Sequence, residues 1–461
     1  MGESGTVADR SMTKTDRIMD VIPDDVLRVI FNEYVQSKYG RGSFPFPGYE
    51  IAPKVAQYDI INSNTPFRLG RVCSRWRALT EDTPQLWTAI CIPSAKRPGM
   101  LELFELWLKR SGKMPITLIL NLMDGEWKDF QKSIVEQAFK ESERWQRVNL
   151  QLGGGPTQLE SIPWQNAKTP ELEFITLRLP GWTSKSVGEF LDALGSNSKI
   201  RGVEFNGYFP VPQPVRIPDV NLKVLRLHGF KCYEIYSYLG SSHAALEELA
   251  VDDIYCCVFP YTAHPRMPFQ IRINTLKTLS IRVTAGLPQY LPDIVAPNLE
   301  NLYLDVVERN EQHLGQFWTI LQIFGKHSNC KLKSFRFPGG FEHQVTGASW
   351  SLPMFSQLRD LEIRAPVGLS TLEHLTFTKE RKLLPELERL VITDCRATNG
   401  VLANMIKSRT SKLRDVLKPG EKLEPKLKVV DVKYANDGWR NCPQEFALVD
   451  RIKGLKLDIA H

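Results

Sequence analysis

The side chains that could carry out catalysis lie scattered along this chain, without the spacing that a reaction needs. The sequence contains no His-Glu-x-x-His, Gly-x-Ser-x-Gly or Gly-x-Gly-x-x-Gly motif. Its eight histidines have no metal-ligand spacing, and its eight cysteines include no Cys-x-x-Cys pair. A lone histidine such as His228 or His264 is far more often a structural or surface group than a catalyst. The sequence therefore predicts a protein that is not an enzyme, holds no metal or cofactor, and acts by binding.

Side chains suited to binding recur at fixed positions of a repeated apolar phrase. Arginine predominates among them, and arginine and tyrosine often supply much of the binding energy at protein interfaces. Successive side chains of a strand point to opposite faces, so these residues share the face opposite the apolar ones. Acidic Glu204 and Asp252 occupy the same positions. The candidate residues for binding a target protein on this face are Arg178, Arg226, His228, Arg282, Tyr303, Asp305, Arg336 and Arg364.

The phrase has the form Leu-x-x-Leu-x-Leu and recurs mostly about 22 to 33 residues apart, which is typical of a repeat protein. Its clear copies are Leu172/Ile175/Leu177, Leu222/Leu225/Leu227, Leu246/Leu249/Val251, Leu276/Leu279/Ile281, Leu299/Leu302/Leu304, Leu332/Phe335/Phe337, Leu358/Leu361/Ile363, Leu387/Leu390/Ile392 and Leu427/Val430/Val432, with looser copies at Trp145/Val148/Leu150 and Ile200/Val203/Phe205. The last two apolar positions alternate with polar ones. Each copy therefore predicts a short strand with one buried face.

Apolar residues at helical spacing lie between the phrases. We predict helices within 130–139, 187–194, 314–324, 372–377 and 401–406 on this basis. A strand followed by a helix, repeated, predicts parallel strands joined by right-handed crossovers. Since one unit of about 25 residues cannot bury its own apolar face, neighbouring units must stack. The predicted fold class is α/β, a curved right-handed solenoid with parallel strands on the concave side and helices on the convex side.

Two amphipathic segments precede these repeats. Leu69, Val72, Cys73, Trp76 and Leu79 are spaced to share one face of a helix, and arginines flank that stripe. Upstream, Ile22-Pro23 leads into Leu27, Ile30, Phe31, Tyr34 and Val35, again at helical spacing. A module this small cannot bury all of these groups, so its excess apolar surface predicts a partner.

The order and spacing of these residues resemble an F-box, the helical motif through which substrate receptors dock onto the Skp adaptor of cullin-RING ubiquitin ligases. The matching residues are Ile22-Pro23, Leu27, Ile30-Phe31, Val72-Cys73, Trp76-Arg77 and Pro84-Gln85-Leu86-Trp87. Leucine-rich repeats commonly follow an F-box in this family, so the resemblance covers nearly the whole chain. It implies a small all-α F-box-like module and an irregular leucine-rich-repeat solenoid. The adaptor-binding residues that it implies, some facing the adaptor and others the core of the module itself, are Pro23, Leu27, Ile30, Phe31, Leu69, Val72, Trp76, Leu86 and Trp87.

The chain departs from the family pattern in the length of one connection. Residues 36–65 are longer than the usual connection and rich in aromatic residues, so they are predicted to be an inserted loop. Such an insertion either packs on the module or covers part of its docking face. The predicted organisation is a disordered N-terminus at 1–17, the F-box-like module at 18–90, a linker strand and helix at 91–112, and the solenoid with its C-terminal cap at 113–461.

The expected function is substrate recognition for an SCF-type ubiquitin ligase, with the Skp adaptor, and through it a cullin-RING ligase, as one partner and an unknown target protein as the other. The alternative is an interaction scaffold whose F-box-like cap does not dock. The apolar content of 42% is that of a globular protein, and no stretch resembles a signal peptide or membrane span, so we expect a cytoplasmic or nuclear location. The basic stretch 409–433 lacks the aromatic platform that nucleic-acid binding favours.

Overall fold

A computed structural model provides the structure of this protein. It describes residues 22–39, 66–92, 99–123, 125–155, 157, 162, 164–195, 199–206, 221–229, 239, 245–254, 270–283, 291–306, 314–338, 350–397, 400–410, 426–434 and 456–460. The predicted N-terminal tail at 1–17, and residues 40–65 of the predicted loop, lie outside these ranges. The chain forms two compact units, the first made of Met1–Gly181 with Ala193–Lys199 and the second of Trp182–Asp192 with Ile200–His461. The predicted boundary between residues 112 and 113 falls inside the first unit.

The first unit begins with helices and continues as a parallel sheet. Its helices are α1 Asp24–Tyr39, α2 Pro66–Leu69, α3 Ser74–Glu81, α4 Gly99–Ser111 and α5 Asp129–Lys140, with 3₁₀ turns at Pro84–Trp87, Ser142–Arg144 and Trp164–Asn166. Its strands are β1 Ala89–Ile92, β2 Ile116–Leu122, β3 Trp145–Leu152 and β4 Phe174–Arg178, in that order, and all of their pairings are parallel. Strand β1 and helix α4 lie where a linker strand and helix were predicted at 91–112, except that β1 begins two residues earlier.

Two of the N-terminal expectations are wrong. Helix α1 continues to Tyr39, four residues into the predicted loop. The apolar stripe from 69 to 79 is not one helix, because α2 ends at Leu69 and α3 begins only at Ser74. Gly70, a weak helix former, follows the end of α2. The extended Cys73 then caps α3, its Sγ accepting the Trp76 N–H at 3.4 Å, a donor that has no partner inside the helix.

The second unit repeats the parallel arrangement over more strands. Its main sheet runs in the order β5 Gly202–Asn206, β6 Val224–His228, β7 Glu248–Ile254, β9 Thr278–Val283, β11 Asn301–Val306, β12 Ser334–Phe337, β13 Asp360–Ile363, β14 Arg389–Cys395, β15 Val429–Tyr434 and β16 Lys456–Ala460. Strands β8 Ile271–Arg272 and β10 Ile294–Val295 form a separate parallel pair. The helices are α6 Ser184–Gly195, which contains the boundary between the units, α7 Leu314–Ser328, α8 Leu369–Leu375 and α9 Val401–Arg409.

The strands found at the repeated phrases confirm the predicted parallel strands and the α/β class. In β6, for example, Leu225 and Leu227 are buried while Arg226 and His228 are half-buried on the other face. Helices also occupy the five segments that were predicted to be helical, except that the helix in segment 372–377 ends at Leu375. No helix in the described ranges has both the length and the apolar character needed to span a membrane.

A buried arginine fastens the C-terminal end of α8. Arg409 is 3% exposed, and it donates to the carbonyls of Leu375 at 2.7 Å, Leu384 at 3.0 Å and Leu383 at 2.7 Å. Its guanidinium also lies 4.1 Å from the centre of the Phe377 ring. Burial lowers the pKa of Arg409 to about 9, so the group is still protonated at neutral pH. The carbonyl oxygens supply the hydrogen bonds that a buried cation requires.

Candidate functional site

The predicted adaptor-binding residues divide between the core and the surface of the first unit. Pro23, Ile30 and Val72 are exposed and Trp76 is half-buried. The other five are buried, namely Leu27, Phe31, Leu69, Leu86 and Trp87. The nine residues were expected to divide between the adaptor-facing surface and the core of the module, and these five fill the interior of the N-terminal helices and the turn that follows.

Helix α1 explains this division. Leu27, Phe31 and Val35 recur every four residues and form its buried face. Val26, Val29 and Ile30 lie on the adjoining face and are 46%, 63% and 47% exposed. Val72, in the turn between α2 and α3, is 59% exposed. We call these four residues the exposed apolar surface.

The concentration of these side chains is unusual for this chain. Among the residues that the structure describes, six large apolar side chains are exposed, and the exposed apolar surface accounts for four of them. The other two, Ile323 and Leu369, lie on separate helices of the second unit. Single exposed apolar residues need no explanation, whereas a group of them indicates a docking site.

Helices α1 and α3 are fastened to each other at this surface. Arg75 donates to Asp24 Oδ1 from Nη2 at 2.6 Å and from Nε at 3.0 Å, and Nη2 also reaches the Ile22 carbonyl at 2.6 Å. The rings of Phe31 and Trp76 pack with their centres 4.6 Å apart. Trp76 therefore joins the two helices, which accounts for its half-buried position.

An aromatic cluster holds these helices against the rest of the first unit. Trp87 packs edge to face with Phe67 at 5.0 Å and with Trp107 of α4 at 6.0 Å, and its Nε1 donates to the Thr80 carbonyl at 2.8 Å. Arg110 of α4 lies 4.5 Å above the Trp87 ring. The exposed apolar surface is thus carried by helices that are packed onto a buried aromatic core.

The second candidate site is the polar face of the main sheet in the second unit. Three of the predicted target-binding residues meet there in what we call the histidine cluster, which comprises Glu204, Arg226, His228, Glu248, Asp252 and Arg282. Arg226 bonds Glu248 Oε1 from Nε at 2.9 Å. Arg282 Nε lies 3.6 Å from Asp252 Oδ1.

His228 lies between two carboxylates from the neighbouring strands. Its Nδ1 is 3.3 Å from Asp252 Oδ2, and its Nε2 is 3.4 Å from Glu204 Oε1. Burial opposes a charge on His228, but the hydrogen bond to Asp252 and the close carboxylate of Glu204 outweigh it and raise the pKa of the imidazole to about 9. Glu204 is 1% exposed, and Arg226 Nη1 lies 3.7 Å from its Oε2. His228 is therefore protonated at neutral pH.

Four more predicted residues meet in what we call the tyrosine cluster, which comprises Tyr303, Asp305, Arg336, Glu362 and Arg364. Glu362 accepts from Arg336 Nε and from Arg364 Nε, both at 2.7 Å. Arg364 also donates to Asp305 at 3.0 Å, and Arg336 lies 5.1 Å from the centre of the Tyr303 ring. Burial opposes ionisation of Glu362, but the two arginines outweigh it and lower the pKa of this carboxyl.

These contacts change the expected character of the polar face. The arginines of the two clusters are matched by carboxylates on the same strand or on a nearby one, so the face is not the basic surface that a count of arginines indicates. Glu248 and Glu362 were missed as partners, although both occupy polar positions of the repeated phrase. Arg178, the remaining predicted residue, is exposed at the end of β4 in the first unit.

Sequence reasoning also missed a ladder of charged residues directly after the first leucine of successive phrases. Its members include Lys223, Glu247, Lys277, Glu300, Lys333, Arg359, Glu388 and Lys428. Glu247 accepts from Lys223 at 2.9 Å and from Lys277 at 2.8 Å, and these bonds, the one from Lys277 first, lower its pKa to about 2. A charged residue at this position of each phrase, alternating in sign except between Lys333 and Arg359, is visible in the sequence and could have revealed the ladder.

The described residues contain no group of three or more histidine, cysteine, aspartate or glutamate side chains arranged to hold a metal ion. Comparison with protein-family models and with curated protein sequences gives no match.

Proposed function

We propose that this chain is the substrate-recognition subunit of an SCF-type cullin-RING ubiquitin ligase. In this proposal the exposed apolar surface docks onto the Skp adaptor and the leucine-rich repeats bind a target protein. The observation that carries the proposal is the exposure of Val26, Val29 and Ile30 on α1 and of Val72 in the turn that leads into α3, the helix packed against α1. Ile30 and Val72 are also residues through which the sequence resembles an F-box.

The parallel strands support the second part of the proposal. Each repeated phrase contributes one short strand to a parallel sheet, as the leucine-rich-repeat interpretation requires. The polar faces of these strands present ion pairs, and some of the paired groups are partly exposed, such as Arg364 at 28%. A target that binds there must match a pattern of paired charges rather than a positive field.

The alternative function is an interaction scaffold whose N-terminal helices only cap the sheet. It is favoured by the burial of Leu27, Phe31 and Trp87. These residues match the F-box pattern, but packing in the core is enough to explain their presence. The two functions differ in what they require of the exposed residues. A cap gains nothing from Val29 or Val72 in water, whereas a docking surface needs them.

The deciding experiment is retention of the purified Skp adaptor by the full chain. The test variant is Ile30→Asp with Val72→Asp, because both side chains are about half exposed and the substitutions leave the core intact. The matched control is Ile323→Asp with Leu369→Asp, which alters two exposed apolar residues of the second unit. Circular dichroism establishes that all three proteins are folded.

We expect the unmutated chain and the control to retain the adaptor and the test variant to lose it. Two interface residues at about 2 kcal/mol each correspond to a loss of affinity of roughly 1,000-fold. Failure of the unmutated chain to retain the adaptor would favour the scaffold, and retention by the folded test variant would show that docking uses another surface.

A further inference from the structure

One side of the exposed apolar surface is strongly basic. Residues 66–78, which contain Val72, include four arginines and no aspartate or glutamate. Helix α1, on the other side, carries Asp24, Asp25 and Glu33 together with Arg28 and Lys38. The two sides of the surface therefore differ in charge.

The four arginines are not equivalent. Arg75 is held by Asp24, and Arg77 donates from Nε to the Gly70 carbonyl at 3.0 Å. Arg68 also has a partner. Arg71 is exposed directly beside Val72, and its guanidinium has no ion-pair partner within the described part of the chain. The guanidinium of Arg71, next to Val72, is thus available to a partner.

We propose that the partner of the exposed apolar surface is a protein that sets a carboxylate opposite Arg71, beside an apolar patch that covers Val72. This inference rests on the proposed function, because it concerns the same docking surface, and it adds the chemistry of the bound face. An apolar centre with a matched charge at the rim is the usual anatomy of a specific interface.

Other occupants fit the charges less well. A second copy of this chain would bring its own arginine-rich turn against Arg71, and like charges at an interface are unfavourable. An anionic membrane surface would attract Arg71 but repel Asp25, which is 92% exposed, and the exposed Glu33 on α1. A protein can place a carboxylate opposite Arg71 alone, whereas a lipid surface presents negative charge to both helices.

The test measures binding of the purified Skp adaptor to the full chain at low and high salt by stopped-flow and calorimetry. The variants are Arg71→Glu, Arg71→Gln and Val72→Asp. The control is Lys168→Glu, which reverses the charge of another cation in the first unit; Lys168 is 73% exposed and lies 4.0 Å from Glu143.

Because a charge at the rim of an interface acts mainly on the association rate, we expect Arg71→Glu to slow association by about 10-fold at low salt and by much less at high salt. Arg71→Gln should show a smaller effect of the same kind, and Lys168→Glu should bind like the unmutated chain.

Two failures are distinguishable. Absence of adaptor binding by the unmutated chain overturns the proposed function and this partner with it. Binding that depends on Val72 but not on Arg71 overturns the inference alone. Binding of the chain to vesicles rich in phosphatidylserine, or self-association in ultracentrifugation, that Arg71→Glu abolishes would identify one of the other occupants and also overturn it.

Discussion

Replacing His228 by glutamine tests whether the histidine cluster is held together by a charged imidazole. The imidazole bridges Glu204 and Asp252 at 3.4 and 3.3 Å, and its pKa is raised from 6.5 to about 9. At roughly 1.4 kcal/mol per pKa unit, this shift corresponds to about 3 kcal/mol of stability. Because the side chain is 27% exposed, solvent screening reduces the figure, and we expect about 2 kcal/mol.

The pH dependence follows from the direction of the shift. A pKa raised by folding stabilises the folded state fully below pH 6.5, and this contribution is lost as the pH rises through about 9. His228→Gln should therefore lower the free energy of unfolding at pH 6 and make little difference at pH 10. The assay is denaturant unfolding of both proteins at the two pH values, together with an NMR titration of the His228 ring.

The matched control is His327→Gln, an exposed histidine of the second unit whose ring contacts are the uncharged Pro292 carbonyl and Gln270 amide. Its effect on the free energy of unfolding should be small. An equal loss of stability for His228→Gln at pH 6 and pH 10 would refute the reasoning. So would a ring pKa at or below 6.5 in the folded protein.

Three further predictions concern stability. Arg409→Met should lower the free energy of unfolding by about 3 kcal/mol, since it removes three hydrogen bonds from a buried site and leaves only the Leu384 carbonyl with another donor, the Leu387 N–H; a loss below about 1 kcal/mol in denaturant unfolding would contradict this. Glu247→Gln removes ion pairs to two lysines that are more than half exposed, so its effect on the melting temperature should be small and should disappear in about 1 M salt. Leu27→Asp should unfold the N-terminal helices, whereas Val29→Asp should leave the melting temperature unchanged, because the first side chain is 1% exposed and the second 63%; equal melting curves would show that the division of α1 into two faces is wrong.

Local periodicity was sufficient to predict the repeated part of the fold. A strand such as β6 needs only alternation of buried and exposed residues over a few positions, and that alternation is written directly in Leu225-Arg226-Leu227-His228. The interval between phrases then requires neighbouring strands to pair in parallel. Both signals are short in range, so they survive without knowledge of the tertiary structure.

The break between α2 and α3 was not predicted, although its residues are visible. Apolar spacing from Leu69 to Leu79 satisfies a continuous helix, and only the cap shows that the chain restarts. Cys73 accepts the Trp76 N–H in an extended conformation, and Gly70 turns the chain ahead of it. Cysteine is not among the preferred capping residues, so the usual signal for a helix start was missing.

The sequence by itself determined the strands, the helices between them and the apolar stripes, because these depend on spacing within a few residues. The tertiary structure decided which side of each stripe faces water. Leu27 and Ile30 belong to one stripe in the sequence, yet only Leu27 is buried, since the packing of α3 against α1 covers one face and leaves the other open. The tertiary structure also decided which arginines are ion-paired. Arg336 and Glu362 are 26 residues apart and meet only when β12 and β13 pair in register.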